Sequence, residues 1–340
     1  MESHHGPQTY ILVCDLARKV MSFRLVGIQT PEPSDPFFAE FRSGLKDQIL
    51  QIAPHLDVRV IDMGELAAKI LMGVQHLDST LLKNAFVVST CSEIALPIQG
   101  HTLEVNRVVD DRGVVLGIGP RPGHPPVDHQ IDGILSMAAG RPLVIVEDGS
   151  CTGSTLSYVI DRLHRKKADV IAVVAGFIFP KAMERLKDVF RGVIHTIEHF
   201  EQPIDWVPDH DFVPFLPGCG RIVGALIRGD AHPFYTFEGY PYSIPYLLPF
   251  APPEAWMDWT GLTGSVQDAR NFSRFCIVKS RDLFEELERL NDKHLTIRDI
   301  QDVRPRISVP FRMDGDDSMY RMSSVRICGY LTDIMQEVLW

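Results

Sequence analysis

From residue 85 to residue 197 the chain repeats one pattern, a short apolar run followed by a stretch with helical spacing. Residues 85–89, 114–118, 143–146, 170–175 and 193–197 are the runs, and 155–165 and 180–190 are helical stretches behind the third and fourth. Apolar strands that alternate with helices predict an α/β fold, with a central parallel sheet covered on both faces. Ligands of such sheets sit beyond the carboxyl ends of the strands. The pattern therefore sets both the fold class and the edge at which a site is expected.

The flanks read differently. Alternation around Tyr10-Ile11-Leu12-Val13 and Phe23-Arg24-Leu25-Val26 predicts a strand pair within residues 9–29. Pro31, Pro33 and Pro36 interrupt the chain, Asp35 is placed to cap a helix, and Phe37, Phe41, Leu45, Ile49 and Ile52 recur at helical spacing. A strand is expected at 58–61 and a helix at 65–75. Residues 232–259 are rich in Pro and aromatics and read as an ordered, loop-rich cover or partner surface rather than a strand-helix unit. Ser280 is expected to cap a helix with the stripe Leu283, Phe284, Leu287 and Leu290, and residues 307–340 form a closing tail.

One segment carries chemistry. In Leu143-Val144-Ile145-Val146-Glu147-Asp148-Gly149-Ser150-Cys151-Thr152-Gly153-Ser154-Thr155-Leu156 an apolar strand ends in two acids, a loop of small and hydroxyl residues follows, and a helix begins. Loop amides and a helix N-terminus form an anion cradle. Gly149 and Gly153 allow close backbone approach, and Ser150, Thr152, Ser154 and Thr155 can add hydroxyl donors. Two carboxylates beside a phosphate would repel it unless they face neutral hydroxyls or a metal, which suits ribose and Mg²⁺.

This segment resembles the 5-phosphoribosyl-1-pyrophosphate (PRPP) signature of the type I phosphoribosyltransferases. The resemblance implies that Glu147 and Asp148 hold the ribose hydroxyls, with Mg²⁺ bound through PRPP beside them. It also implies that Gly149, Ser150, Cys151, Thr152, Gly153, Ser154 and Thr155 hold the 5-phosphate. The implied fold is a central parallel sheet of that family's kind with added N- and C-terminal segments. Residues 1–80 would be an accessory or hood segment, 81–230 the core, and 231–340 an aromatic, Pro-rich cover with a helical tail.

Departures from the pattern are visible too. Members acting on hypoxanthine or guanine often place an Asp before the Thr-Gly, and Cys151 stands there, so that purine base assignment fails. Ser89-Thr90-Cys91-Ser92-Glu93 occupies the place of the pyrophosphate loop but lacks its usual glycine. A mobile loop is expected between 107 and 133, where Arg107, Arg112, Arg121 or His124 could neutralise pyrophosphate. Lys181 and Trp206-Val207 are the base-side candidates, with Phe212-Val213 in competition. The implied reaction moves a phosphoribosyl group between PRPP, or a nucleotide monophosphate, and a small nitrogenous base. The alternatives are a non-catalytic PRPP or nucleotide sensor, and an accessory protein of a biosynthetic or defence cluster.

Other classes are disfavoured. A net charge of −10 argues against a broad nucleic-acid face. No apolar run approaches a membrane span, and the first residues lack the order of a signal peptide. Six scattered cysteines without a CxxC pair read as reduced thiols, so a cytoplasmic protein is expected, with room for a homodimer. His195-Thr196-Ile197-Glu198-His199 matches a metallopeptidase pattern, but β-branched neighbours predict a strand, where such histidines stand roughly 13 Å apart. Residues 117–123 imitate a dinucleotide glycine motif with the wrong spacing and two prolines and are expected to be a turn. Residues 149–155 lack the Lys of a Walker A loop.

Overall fold

The computed structural model describes residues 8–80, 84–91, 94, 101–121, 123–216, 218–228, 230–234, 242–300, 306–307 and 323–337. Strands β3 (Phe86–Ser89), β4 (His101–Thr102), β7 (Leu143–Ser150), β8 (Val170–Ile178) and β9 (Val193–Glu198) form the central sheet. Their order is β4-β3-β7-β8-β9 and every pairing is parallel.

The continuous apolar character of β7 and β8 follows from burial on both faces. Leu143, Ile145 and Val173 join a core with Ile131 and Ile134 of one helix (α4, Val127–Ala138), Leu156 and Ile160 of a second (α5, Ser154–Arg165) and Leu186 of a third (α6, Pro180–Val189). Val144, Val146, Ala172 and Val174 face the other way, onto Leu66, Ile70 and Val74 of α3 (Met63–Thr80). On its far side α3 meets Ile11 and Val13 of β1 (Thr9–Cys14), the middle strand of a second parallel sheet ordered β10-β1-β2. Here β2 is Asp57–Asp62 and β10 is Pro203–Pro208.

The alternate residues of β1, Tyr10 and Leu12, enter a third core that both chain ends share. It contains Phe41 and Leu45 of α2 (Pro36–Ile52), Trp256 of α7 (Pro253–Thr260), Phe272 and Phe284 of α8 (Val266–Asn291), and Leu331 of α10 (Ser324–Glu337). Between α8 and α10 lies the short helix α9 (Ile297–Ile300).

A third sheet runs β14-β13-β11-β5-β6, with β12 on β11. Its strands are β5 (Val105–Val109), β6 (Val115–Pro120), β11 (Arg221–Ile227), β12 (Asp230–Pro233), β13 (Tyr242–Ile244) and β14 (Arg306–Ile307). The β5–β6 hairpin is joined to later parts of the chain: β5 pairs with β11, and the Trp259 indole N–H donates to the Gly113 carbonyl at 3.1 Å.

Four expectations need correction. Residues 23–26 are not a strand: the chain turns into helix α1 (Leu16–Met21) and then a 3-10 turn, Ser22–Val26. The Asp209 carboxylate accepts from the amides of Asp15 and Leu16, which starts that helix and overrides the alternation, leaving Leu25 89% exposed. Residues 114–118 form no parallel core strand. They fall on β6, which pairs antiparallel with β5 and includes the first four residues of the expected turn at 117–123. Ser280 caps nothing; it lies inside α8 and donates back to the Cys276 carbonyl, while Ser265 with Asp268 makes the capping box. Residues 232–259 do contain regular structure, part of β12, β13 and most of α7.

His195 lies in strand β9, as expected, so the metallopeptidase pattern has no helix to act on. No described helix is long and apolar enough to cross a membrane.

Candidate functional site

A cavity of about 540 Å³ opens at the carboxyl ends of β7 and β3. Its walls come from the segment 147–155, from Thr90 and Cys91, from the β5–β6 hairpin, from Asp15 and Lys19, from the end of β10, and from Arg221, Tyr246 and Trp259. The site is therefore assembled by the central sheet together with both chain ends.

β7 runs four residues beyond the expected strand, to Ser150, because Gly149 and Ser150 still pair with Phe177 and Ile178 of β8. Glu147 and Asp148 are thus strand residues held in register, and the true loop shrinks to Cys151–Gly153 before α5. Gly153 adopts φ +74 at the helix N-cap position, with no side-chain cap on α5. The first helical bond runs from the Ser157 amide to the Gly153 carbonyl, so the amides before it are unclaimed by the helix. Thr152 and Ser154 share a hydroxyl contact of 3.0 Å, and Arg185 of α6 donates to the Thr152 carbonyl at 3.1 Å and bonds the Ser154 hydroxyl. Helix-start amides of this kind, with a cation at the rim, can take an anion. All of Glu147 to Thr155 line the cavity.

The acids differ in state. Burial, reinforced by Asp148, holds Glu147 far above the usual carboxylate range, against the opposing pull of Arg121 and Arg107. The Glu147 Oε2 is buried without a hydrogen-bond partner among the described residues. Asp148 Oδ1 accepts from the Gly149 amide at 2.7 Å. Two hard oxygen donors, one of them orphaned, fit ribose hydroxyls and a cation carried by a phosphate. No cluster of three or more metal-ligating side chains exists among the described residues.

Ser89 ends β3 and Thr90 and Cys91 follow it, but their polar groups are largely spent within the fold. The Ser89 hydroxyl donates to the Cys91 carbonyl and accepts from its amide, and the Thr90 hydroxyl donates to the Val146 carbonyl. Thr90 and Cys91 reach the cavity wall and Ser89 does not. Ser92 and Glu93 lie outside the described residues. Arg107 and Arg121 of the hairpin segment both line the cavity, and Arg121 pairs with Glu104 at 3.2 Å. Arg112 instead pairs with Asp110 at the exposed turn, and His124 is exposed away from the cavity. Trp206 lines the cavity, braced against Phe177 with ring centroids 5.3 Å apart. Val207, Phe212 and Val213 are packed in the shared core, and Lys181 is exposed on α6 outside the cavity wall.

Sequence reading missed the wall facing the loop. Asp205 interacts with the Cys151 thiol, and burial raises its carboxyl to about 6 against the Trp206 amide, Arg107 and Arg221. Burial, with Asp205 beside it, raises Cys151 to about 11, so it is a thiol and no nucleophile at neutral pH. Asp15 bonds His210 Nδ1 at 2.8 Å. The available signals were Asp209-His210-Asp211 at a strand end and the Gly218-Cys219-Gly220 approach to Arg221, both in the region where periodicity faded.

Asp209 gives a pH test. Burial and then Asp15 raise its carboxyl to about 8, opposed by the two amides it caps. An unfolded Asp titrates near 3.9. Between those values the folded chain holds a proton that the unfolded chain has released. The stability this confers is full below about pH 4 and lost as pH rises through about 8, by up to roughly 1.4 kcal/mol per pH unit. Asp209→Asn keeps an acceptor for the amides and has no proton to lose. Urea unfolding at intervals from pH 5 to pH 8 is expected to show a flatter profile in the variant; an unchanged slope would refute the assignment.

The described residues form an α/β protein with a parallel central sheet and a strand-acid-acid-loop-helix segment at its carboxyl edge. A curated orotate phosphoribosyltransferase of Staphylococcus saprophyticus is 26% identical over 193 residues, which cover 56% of this chain and 86% of that protein. No family model matches. A solved adenine phosphoribosyltransferase aligns at 13% identity over 40% of this chain and 81% of its own, with a TM-score of 0.26. The adenine phosphoribosyltransferase of Saccharomyces cerevisiae aligns at 10% over 40% and 78%, also at 0.26.

Proposed function

We propose that the chain transfers a 5-phosphoribosyl group between PRPP and a small nitrogenous base, with release of pyrophosphate. The observation that carries this reading is that β7 delivers Glu147 and Asp148 into the same cavity as the uncapped start of α5. In this reading the 5-phosphate sits on residues 149–155, and Asp148 and Glu147 bond the ribose hydroxyls. Both acids would also hold Mg²⁺ through PRPP, where it would offset pyrophosphate charge. The bond from the sugar's anomeric carbon to pyrophosphate breaks with its electron pair leaving on oxygen, and the acceptor nitrogen supplies the new pair. Arg107 and Arg121, both on the cavity wall, would offset that departing charge, and Trp206 would bound the base side. Residues 81–230 would supply the sugar-phosphate site, with 1–80 and 231–340 closing it. Six scattered cysteines without a CxxC pair support a reducing, cytoplasmic setting.

A non-catalytic PRPP or nucleotide sensor is the second reading. It is favoured by the hydroxyls of Ser89 and Thr90, which are spent within the fold. Pyrophosphate release from PRPP and Mg²⁺ across a panel of purines, pyrimidines and pyridines separates the two. Release with one acceptor supports the transferase; PRPP binding with no release across the panel supports the sensor.

A further inference from the structure

Arg221 is a buried cation without a counter-ion. The residue is 7% exposed, its guanidinium carbon stands 5.0 Å over the Tyr246 ring and 6.0 Å from that of Trp259, and it lines the cavity. No described carboxylate lies within ion-pair distance of it, and its Nε is buried with no hydrogen-bond partner. A buried, unpartnered charge of this kind costs several kcal/mol unless something neutralises it. Arg107, a second guanidinium on the same cavity wall, makes the cost greater, because the two repel. Asp205 and Asp211 act on Arg221 only at longer range. An arrangement that repels itself when empty and is bounded by two aromatic rings is built for a flat anion.

Its place in the cavity narrows the ligand. Arg221 belongs to the wall of Asp205 and Tyr246, facing Cys151, and not to the amide seat at residues 149–155. We propose that Arg221, held by Tyr246 and Trp259 and assisted by Arg107, selects the acceptor and takes a planar ring that carries a carboxylate. Asp205 beside it accepts from a ring N–H. The proposal rests on the phosphoribosyl reading for its name as an acceptor site, but its test does not depend on turnover.

The full chain is titrated, in saturating ribose 5-phosphate, with matched rings: orotate against uracil, and nicotinate against nicotinamide. At least one acid is expected to bind about tenfold or more tightly than its neutral partner, and Arg221→Gln is expected to erase that preference while PRPP affinity stays within about twofold. Equal binding of acid and neutral rings, no binding of either acid, or an acid preference that survives Arg221→Gln would overturn the proposal. Inorganic pyrophosphate is titrated in parallel; if it alone loses affinity in Arg221→Gln, the guanidinium serves the leaving group and the proposal fails. Should the variant not fold, the wild-type acid and neutral pairs still decide. Acid binding without PRPP binding would sink the phosphoribosyl reading and leave this one standing.

Discussion

Gly153→Val is expected to lose PRPP binding by on the order of 100-fold, a cost of about 2.7 kcal/mol. Gly153 sits at φ +74, where a β-branched residue is strained by about 1–2 kcal/mol or more. A Cβ there would lie 3.1 Å from both the Cα and the carbonyl oxygen of Ala182 and 3.3 Å from Arg185 Cδ. Backbone of α6 cannot yield as a side-chain tip would, so the loop must move instead. Moving it takes the first amides of α5 away from the anion they would bind, and breaks the Arg185 brace. Calorimetry of PRPP with a circular-dichroism melt checks both halves. Wild-type affinity in a folded variant would remove this loop from the phosphate site.

The largest stability loss is expected four residues earlier in the same segment, inside β7. A Cβ at Gly149 would fall 2.2 Å and 2.3 Å from two ring atoms of Phe177, its cross-strand partner. Phe177 is fully buried and wedged against Trp206, Phe200 and Phe179, with ring centroids 5.3 to 6.0 Å apart. Neither partner has room to step aside, and overpacking of this kind costs about 1–3 kcal/mol or more. Gly149→Ala should therefore lower the urea midpoint clearly, and adding Phe177→Leu should recover part of the loss. A variant as stable as the wild type would show that the β7–β8 register is not the one described.

Legibility of the fold in the sequence followed burial. Strands β7, β8 and β9, buried on both faces or flanked by amphipathic helices, announce themselves as apolar runs, and so do α2, α5 and α6. The segment 22–26 does not, because the Asp209 side chain, almost two hundred residues away, starts a helix where alternation predicts a strand. Of the β5–β6 hairpin only the run at 114–118 reads as a strand, and it suggests the wrong sheet; β5 shows no signal of its own, since its partner β11 lies more than a hundred residues on and no local period reveals that pairing. The candidate site divides in the same way. Its phosphate half is one contiguous segment and could be read from Leu143 to Leu156. Its opposite half is assembled from Asp15, Asp205, Arg221, Tyr246 and Trp259, which share no motif and meet only after the chain ends pack together.

The central claim is that Glu147 to Thr155 bind a 5-phosphoribosyl group. Calorimetric titration of PRPP with and without Mg²⁺, on the wild type and on Asp148→Asn, tests it most directly. The amide keeps an oxygen for the Gly149 N–H but loses the charge that faces the ribose and its cation. Tight, Mg²⁺-dependent binding in the wild type, weakened about tenfold or more in a folded Asp148→Asn, is the predicted result. No binding to the wild type, or equal affinity in both proteins, would contradict it.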